Sequence, residues 1–128
     1  MKPFLLLILA FMLSGCGLAG AGESMSPGPT GIHLDSTLEN HFKAAFTEAK
    51  TCGGFEKGEF ADISIVIMPP WFKCEAYENG CQGQYTRPNF ILISAFSLWK
   101  HEAIHYLLDL NTGDPDKDHK NNLFKDCA

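Results

Sequence analysis

The chain has 128 residues, a formal net charge of −5 at pH 7 and five cysteines, and 45% of its side chains are hydrophobic. This length suits one domain with a modest core, and no internal repeat is visible. The acidic balance argues against nucleic acid as a partner, because binding a phosphate backbone takes an excess of lysine and arginine.

An apolar run at residues 4–13 follows Lys2 at the start of the chain. The run is too short to span a bilayer, but its length is typical of the h-region of a signal peptide. It is followed by Ser, Gly and then Cys16, which resembles a bacterial lipobox. We therefore expect residues 1–15 to be a lipoprotein signal peptide and Cys16 to be lipidated. An ordinary secretory peptide with an accidental cysteine, or a buried helix, is the alternative.

Residues 16–31 are rich in Gly, Ala, Ser and Pro, a composition that cannot form a core. The segment predicts a flexible tether that holds the domain roughly 20 Å from the membrane surface. Two or more acyl chains on Cys16 would anchor the protein to the membrane without spanning it. The implied location is the bacterial cell envelope, outside the cytoplasm. Gly17 in place of an aspartate implies the outer membrane if the cell is Gram-negative.

The folded domain is expected at residues 32–128 and begins with a scaffold helix at residues 36–50. Apolar residues recur in this helix at helical spacing, and Ser36 has the position of an N-cap. His33 and His41 lie near or on the helix and are interpreted as surface or capping residues.

Three strands are expected next. A β-branched run at residues 63–68, stopped by two prolines, predicts a central strand. Residues 82–86 and 90–94 predict two further strands joined by a turn at residues 87–89. Ser94 is then expected to cap a second helix. The order α-β-β-β-α predicts an α+β domain in which a short antiparallel or mixed sheet packs on the two helices.

The second helix carries the HExxH motif, with His101 and His105 one turn apart and Glu102 directly after the first histidine. Residues i and i+4 share a face of a helix, so both imidazoles can bind one ion, usually zinc. Glu102 lies about 100° further round the helix, where it can take a proton from a zinc-bound water. The alternative is an amphipathic helix with two surface histidines. However, the helix is apolar over most of its circumference, so partly buried histidines that need partners are expected.

His119 is expected to be the third ligand. The helix should end at Gly113, which can adopt the left-handed cap conformation. The helix climbs about 12 Å from His105 to this end, and the six residues after it can span up to about 20 Å, so His119 can return to the metal. Four aspartates are rival ligands, although a solvated loop explains them more simply: Asp109, Asp114, Asp116 and Asp118.

The segment from the HExxH motif to His119 resembles the zincin superfamily of metallopeptidases, in which a HExxH helix is followed by a turn and a third ligand. It differs from the metzincins, which have glycine and histidine where this chain has Leu108 and Asn111, and it lacks a later glutamate ligand. The arrangement is closer to small bacterial lipoproteins that look like minimal zincins. The resemblance implies a zincin-like domain in which three histidines hold Zn²⁺, Glu102 is the general base and a peptide or protein is the substrate.

In zincins an extended peptide adds to a sheet edge, for which residues 82–86 are the candidate here. Tyr77, Tyr85 or Tyr106 could donate a hydrogen bond to the developing oxyanion, although tyrosines more often belong to the core. A membrane-anchored zinc metallopeptidase is therefore the main hypothesis. A non-catalytic zinc-binding lipoprotein and a structural lipoprotein whose histidines bind nothing are the alternatives.

Four cysteines follow the expected lipidation site, and an even number in a small exported domain predicts two disulfides. Cys74 and Cys81 flank a short loop with an Asn-Gly turn signal, so a bridge between them is favoured and Cys52 is left to pair with Cys127. The second bridge would pin the C-terminal segment, including His119, to the domain. A cysteine-containing zinc site is the alternative, but the spacings lack a C-x-x-C pair and the compartment is oxidising.

Overall fold

The structure, a computed structural model, describes residues 34–128. This part of the chain contains three α-helices and a three-stranded sheet, so the α+β fold expected from the order of elements is confirmed. No helix within it is long and apolar enough to cross a membrane. The expected signal peptide, Cys16, the tether and His33 lie outside the described residues. The elements are α1 (Ser36–Gly53), β1 (Ser64–Ile67), β2 (Gly83–Thr86), β3 (Phe90–Ile93), α2 (Trp99–Thr112) and α3 (Leu123–Asp126).

The three strands form one mixed sheet in the order β1-β3-β2. β1 runs parallel to β3, and β2 runs antiparallel to it, with Tyr85 opposite Ile91. The expectation that the first strand is central is therefore wrong, because β3 lies between the other two and buries Ile91 completely. Proline cannot donate to a strand ladder, so Pro69 and Pro70, which follow β1 after one residue, suit an edge position. β2 lies at the opposite edge, as expected.

The N-cap of α1 lies one residue earlier than expected. The carboxylate of Asp35, not the hydroxyl of Ser36, accepts the backbone N–H of Leu38 at 2.9 Å. Aspartate and serine are comparable N-caps, and the negative charge of Asp35 also interacts favourably with the helix dipole. His41 is exposed, as expected. The helix buries one face, made of Phe42, Ala45, Phe46 and Ala49.

α2 does not begin where the sequence indicated. Ser94 is not its cap, because a 3₁₀ turn at Phe96–Leu98 separates it from the first helical residue, Trp99. The hydroxyl of Ser94 instead lies 3.3 Å from the carbonyl oxygen of Gln82 and helps to join β3 to the residue before β2. The helix ends at Gly113, as expected, with a φ of 81° that favours glycine.

One hydrophobic cluster joins α1, α2 and the sheet, with α2 packed against both the sheet and α1. The ring of Trp99 stacks on Phe42 at a centroid distance of 4.6 Å, and its indole N–H donates to the Phe42 carbonyl oxygen at 2.8 Å. Burying a ring of this size removes roughly 150–250 Å² from water, which stabilises the fold by about 4–6 kcal/mol. The HExxH residues are therefore displayed from a firmly packed helix.

The two disulfides have the expected pairing, with Cys52 bonded to Cys127 and Cys74 bonded to Cys81. The first joins the last turn of α1 to the end of α3 across a sequence separation of 75, and the second closes a loop with a separation of 7 before β2. Because loop-closure entropy grows with loop length, the first link stabilises the fold by roughly 4–5 kcal/mol and the second by roughly 2 kcal/mol.

Candidate metal centre

Three histidines converge through their Nε2 atoms. The Nε2 atom of His119 lies 2.9 Å from that of His101 and 3.1 Å from that of His105. Two imidazole nitrogens that share a tetrahedral zinc ion, with bonds of about 2.0–2.1 Å, stand about 3.3 Å apart. Both measured distances are therefore close to the spacing that shared coordination requires, and all three ligand atoms lie within 4.8 Å of one another. Within residues 34–128 no aspartate, and hence none of the four rival ligands, belongs to this group.

α2 fixes the two motif histidines and also selects the tautomer of one. The Nδ1 atom of His105 lies 2.6 Å from the carbonyl oxygen of Pro115. A carbonyl oxygen can only accept, so Nδ1 carries the proton and Nε2 keeps a lone pair that points to the other two histidines. This is the usual way in which a backbone carbonyl orients a metal-binding imidazole.

The loop after α2 brings His119 to the site by means of local hydrogen bonds. Asp116 and His119 both have left-handed backbone conformations, with φ values of 52° and 54°. Asp114 accepts the backbone N–H of Asp116 at 2.8 Å, and the Asp116 carboxylate accepts the N–H groups of Lys120 at 3.1 Å and Asn121 at 2.6 Å. Two of the four rival aspartates, Asp114 and Asp116, thus shape the loop that carries His119.

Phe124 of α3 contacts all three histidine rings, and nothing in the sequence indicated this. Its ring centroid lies 4.4 Å from that of His105, 4.8 Å from that of His119 and 5.0 Å from that of His101. A single aromatic residue near the C-terminus belongs to no motif. Its position depends on how α3 packs against α2, which local spacing does not reveal.

Burial keeps the motif histidines neutral. It lowers the pKa of His101 to about 4, with a further contribution from repulsion by His105 and His119. It also lowers the pKa of His105 from its ordinary value. Neutral imidazoles have lone pairs free for a cation, so at pH 7 these two side chains can bind a metal without first losing a proton.

Glu102 is buried between α2 and β2 and lies outside the group of three converging residues. A Cβ atom added at Gly83 would stand 2.6 Å from its Oε1 atom, so only glycine leaves room for this carboxylate. Burial raises the pKa of Glu102 to about 7, although a hydrogen bond from the backbone N–H of Tyr85 opposes the shift. Gly83 was not predicted as a site residue, although a glycine within a strand is a recognised sign that another group approaches closely.

These groups line one cavity of about 560 Å³. Its walls are the motif face of α2, the loop of His119, the strand β2 and the disulfide loop that closes at Cys81. Trp71 and Tyr77 are large, exposed aromatic residues on its rim. A space of this size accommodates a ligand as large as a few residues of peptide.

No family model, curated protein or solved structure matches this chain. The resemblance to zincins thus rests on the HExxH motif and on the later return of His119. The function of the centre has to be inferred from its own geometry.

Of the three tyrosines considered as oxyanion donors, two are engaged elsewhere. The Tyr85 hydroxyl lies 2.8 Å from the carboxylate of Asp109 and 2.9 Å from the carbonyl oxygen of Pro88. Tyr106 is buried in the core with 2% exposure. Tyr77 is 65% exposed and lines the cavity, so it is the tyrosine that a ligand can reach.

Proposed function

We propose that the protein is a zinc-dependent metallopeptidase in which three histidines hold Zn²⁺ and Glu102 is the general base. One observation carries the proposal: the three converging Nε2 atoms and the buried Glu102 carboxylate line the same cavity. A site that only bound a metal would have no need to bury a carboxylate beside the ligands, where burial of a charge is costly.

The donor set fits zinc at a catalytic site. Imidazole nitrogen is a common zinc ligand, and catalytic sites have three protein ligands where structural sites have four. Across the described residues 34–128, no fourth ligand joins the three histidines. When bound, zinc supplies Lewis acidity: it polarises a carbonyl group and makes water nucleophilic near neutral pH.

Glu102 would move the proton. Its carboxylate takes a proton from the attacking water and returns it to the departing amide nitrogen, the role that general acid–base catalysis gives to a carboxylate within hydrogen-bond reach. Burial against β2 at Gly83 restricts the orientations open to the carboxylate. Burial excludes the bulk water that would otherwise compete for the proton.

An extended peptide is the substrate that the cavity favours. β2 pairs with β3 on one side, and in the described part of the chain its other side has no partner strand. Residues of β2 line the cavity together with Glu102 and the histidines. A peptide that paired with the unoccupied edge through backbone hydrogen bonds would therefore pass the reactive groups.

Zinc analysis and peptide hydrolysis test the proposal together. The parent should bind about one equivalent of zinc and cleave an unfolded protein substrate. Glu102→Gln should keep the zinc while hydrolysis falls by 10²- to 10⁴-fold or more, because only the proton carrier is lost. His119→Ala should lose metal affinity first and activity as a consequence. If the parent protein binds zinc but cleaves no member of a broad peptide library, the proposed peptidase activity is overturned and zinc binding is left as the function.

We also propose that the protein is exported and anchored by lipid at Cys16. Support comes from the Leu-Ser-Gly-Cys sequence and from two disulfides, which persist in oxidising compartments. Cys16→Ser should therefore leave the protein unprocessed or release it from the membrane fraction. Cleavage of the variant at the same site, with unchanged membrane association, would contradict the anchor.

A further inference from the structure

α3 is a single helical turn that lies against the metal centre. Its Phe124 is the aromatic residue that contacts all three histidines, with ring centroids between 4.4 and 5.0 Å apart. Rings at these distances are in van der Waals contact, so rotation of any imidazole about its side-chain bonds would collide with Phe124. Phe124 does not line the cavity, so it contacts the histidines from the side away from the ligand space.

Little else holds α3 in place. Leu123 and Phe124 pack partly buried against the core, and the remaining side chains of the turn are exposed. The backbone hydrogen bonds of the turn are local, such as that from the Cys127 N–H to the Leu123 carbonyl oxygen at 2.8 Å. The covalent link from buried Cys127 to Cys52 is the strongest attachment of α3 to the rest of the domain.

The same segment also sets the position of His119. The loop that carries this histidine starts at the end of α2 and finishes at α3, so displacement of α3 moves one end of the loop. His119 itself is exposed, and its backbone N–H donates to the Asp116 carbonyl oxygen at 2.9 Å. Apart from the other two histidines, Phe124 is the ring that it contacts. The third ligand therefore depends on α3 more than the two ligands on α2 do.

We propose that Phe124 is a positioning residue for the metal ligands and that the Cys52–Cys127 disulfide acts through it by holding α3 in place. The inference rests on the metal site of the proposed function and does not depend on peptide hydrolysis. The Cys52–Cys127 disulfide strengthens metal binding because it restricts the movement of the histidine rings before the metal binds. Metal binding then costs less conformational entropy. Since coupling between two sites is reciprocal, a bound metal stabilises the docked position of α3 by the same free energy.

Metal affinity of the full chain tests the inference, measured by competition with a chromophoric chelator. Phe124→Leu should weaken zinc binding by about 10- to 100-fold, the usual loss when a group that orients a ligand is removed. Phe124→Tyr keeps the ring and should restore binding to within about threefold of the parent. The absorption spectrum of the Co²⁺-loaded protein, which reports ligand geometry, should change in the first variant and not in the second.

The two disulfides provide a matched control. The double variant Cys52→Ser/Cys127→Ser should weaken zinc binding about as much as Phe124→Leu, whereas Cys74→Ser/Cys81→Ser, whose loop does not hold α3, should leave it unchanged. If the Cys52–Cys127 disulfide acts through Phe124, adding Phe124→Leu to Cys52→Ser/Cys127→Ser should cause no further loss of zinc affinity. Two changes that act through one contact are not additive.

Every outcome either supports or overturns the proposal. If Phe124→Leu leaves the zinc affinity and the Co²⁺ spectrum unchanged, the positioning role of Phe124 is overturned. If the losses of zinc affinity add up, the coupling between the Cys52–Cys127 disulfide and Phe124 is overturned. Because Phe124→Leu keeps both disulfides, its result stands even if the serine variants fail to fold. A parent that binds no zinc overturns the metal site itself, an outcome distinct from a parent that binds zinc but cleaves no peptide.

Discussion

The two segments that carry the histidines are held in different ways. α2 displays His101 and His105 from a helix that is buried on most of its surface, so core packing sets their positions. The loop that carries His119 is largely exposed and is shaped by hydrogen bonds from aspartate side chains. We therefore expect the two motif histidines to keep their places as long as the domain is folded, whereas His119 can move away while the domain stays folded.

The largest effect on activity should come from a change in β2, next to the buried Glu102. Gly83→Ala places a methyl group 2.6 Å from Oε1 of Glu102, so the buried carboxylate has to move. Hydrolysis should fall by about 10²-fold or more, because a displaced general base no longer reaches the proton it must take. Zinc content should stay near one equivalent, since α2 still presents both histidines. Thr86→Ala, in the same strand but outside the cavity lining, is the control, and equal activity in the two variants would contradict the role of Gly83.

An intermediate effect, on zinc affinity, should come from a change in the loop that carries His119. Asp116→Asn keeps the size of the side chain and tolerates the left-handed backbone, but it replaces a carboxylate oxygen that faces the N–H groups of Lys120 and Asn121. Zinc affinity should fall roughly tenfold, while the unfolding midpoint of the metal-free protein changes little. Asp118→Asn, which alters only an exposed ion pair, should bind zinc as the parent does. Equal affinity in all three proteins would show that the loop needs no such support.

The smallest effect should appear where α2 meets the turn between β2 and β3. A hydrogen bond from Arg87 holds the pKa of Asp109 below its usual range. A carboxylate with a lowered folded pKa contributes stability above its unfolded value of about 3.9, and this contribution is lost as the pH falls through the folded value. Since Arg87 is largely exposed, screening by solvent keeps this contribution small.

The measurement is the free energy of unfolding as a function of pH for the parent and for Asp109→Asn. The variant should be less stable at pH 7, and the difference should shrink below about pH 4. Glu48→Gln, in an exposed pair with Lys100, is the control and should match the parent throughout. A difference between parent and Asp109→Asn that stays constant down to pH 2 would exclude the ionised pair as its cause.

Local spacing predicted most of the site. The i, i+4 pair on α2 follows from helical geometry, and the disulfide pairing follows from loop length and a turn signal. The reach of the chain placed His119 near the pair before any fold was known. These features depend on residues close together in sequence or on simple limits of length.

The features that the sequence did not predict depend on packing between distant segments. β1 was expected at the centre of the sheet, but which strand lies between two others depends on pairing across the whole domain. Ser94 was expected as a cap, although the chain first makes a 3₁₀ turn that allows Trp99 to reach Phe42. The contact of Phe124 with the histidines likewise exists only once α3 has docked.

The separation of 75 residues between Cys52 and Cys127 also has a consequence for biosynthesis. A chain that emerges from a narrow channel with its N-terminus first exposes Cys52 together with Cys74 and Cys81 well before Cys127 is available. Of the pairings open to these three cysteines, Cys74 with Cys81 closes the shortest loop, with a sequence separation of 7, and therefore has the lowest entropic cost. The native short bridge would then form first and leave Cys52 as a free thiol until Cys127 appears. Under the proposed export, the long bridge, and with it the docking of Phe124 beside the histidines, would be the last covalent step of folding.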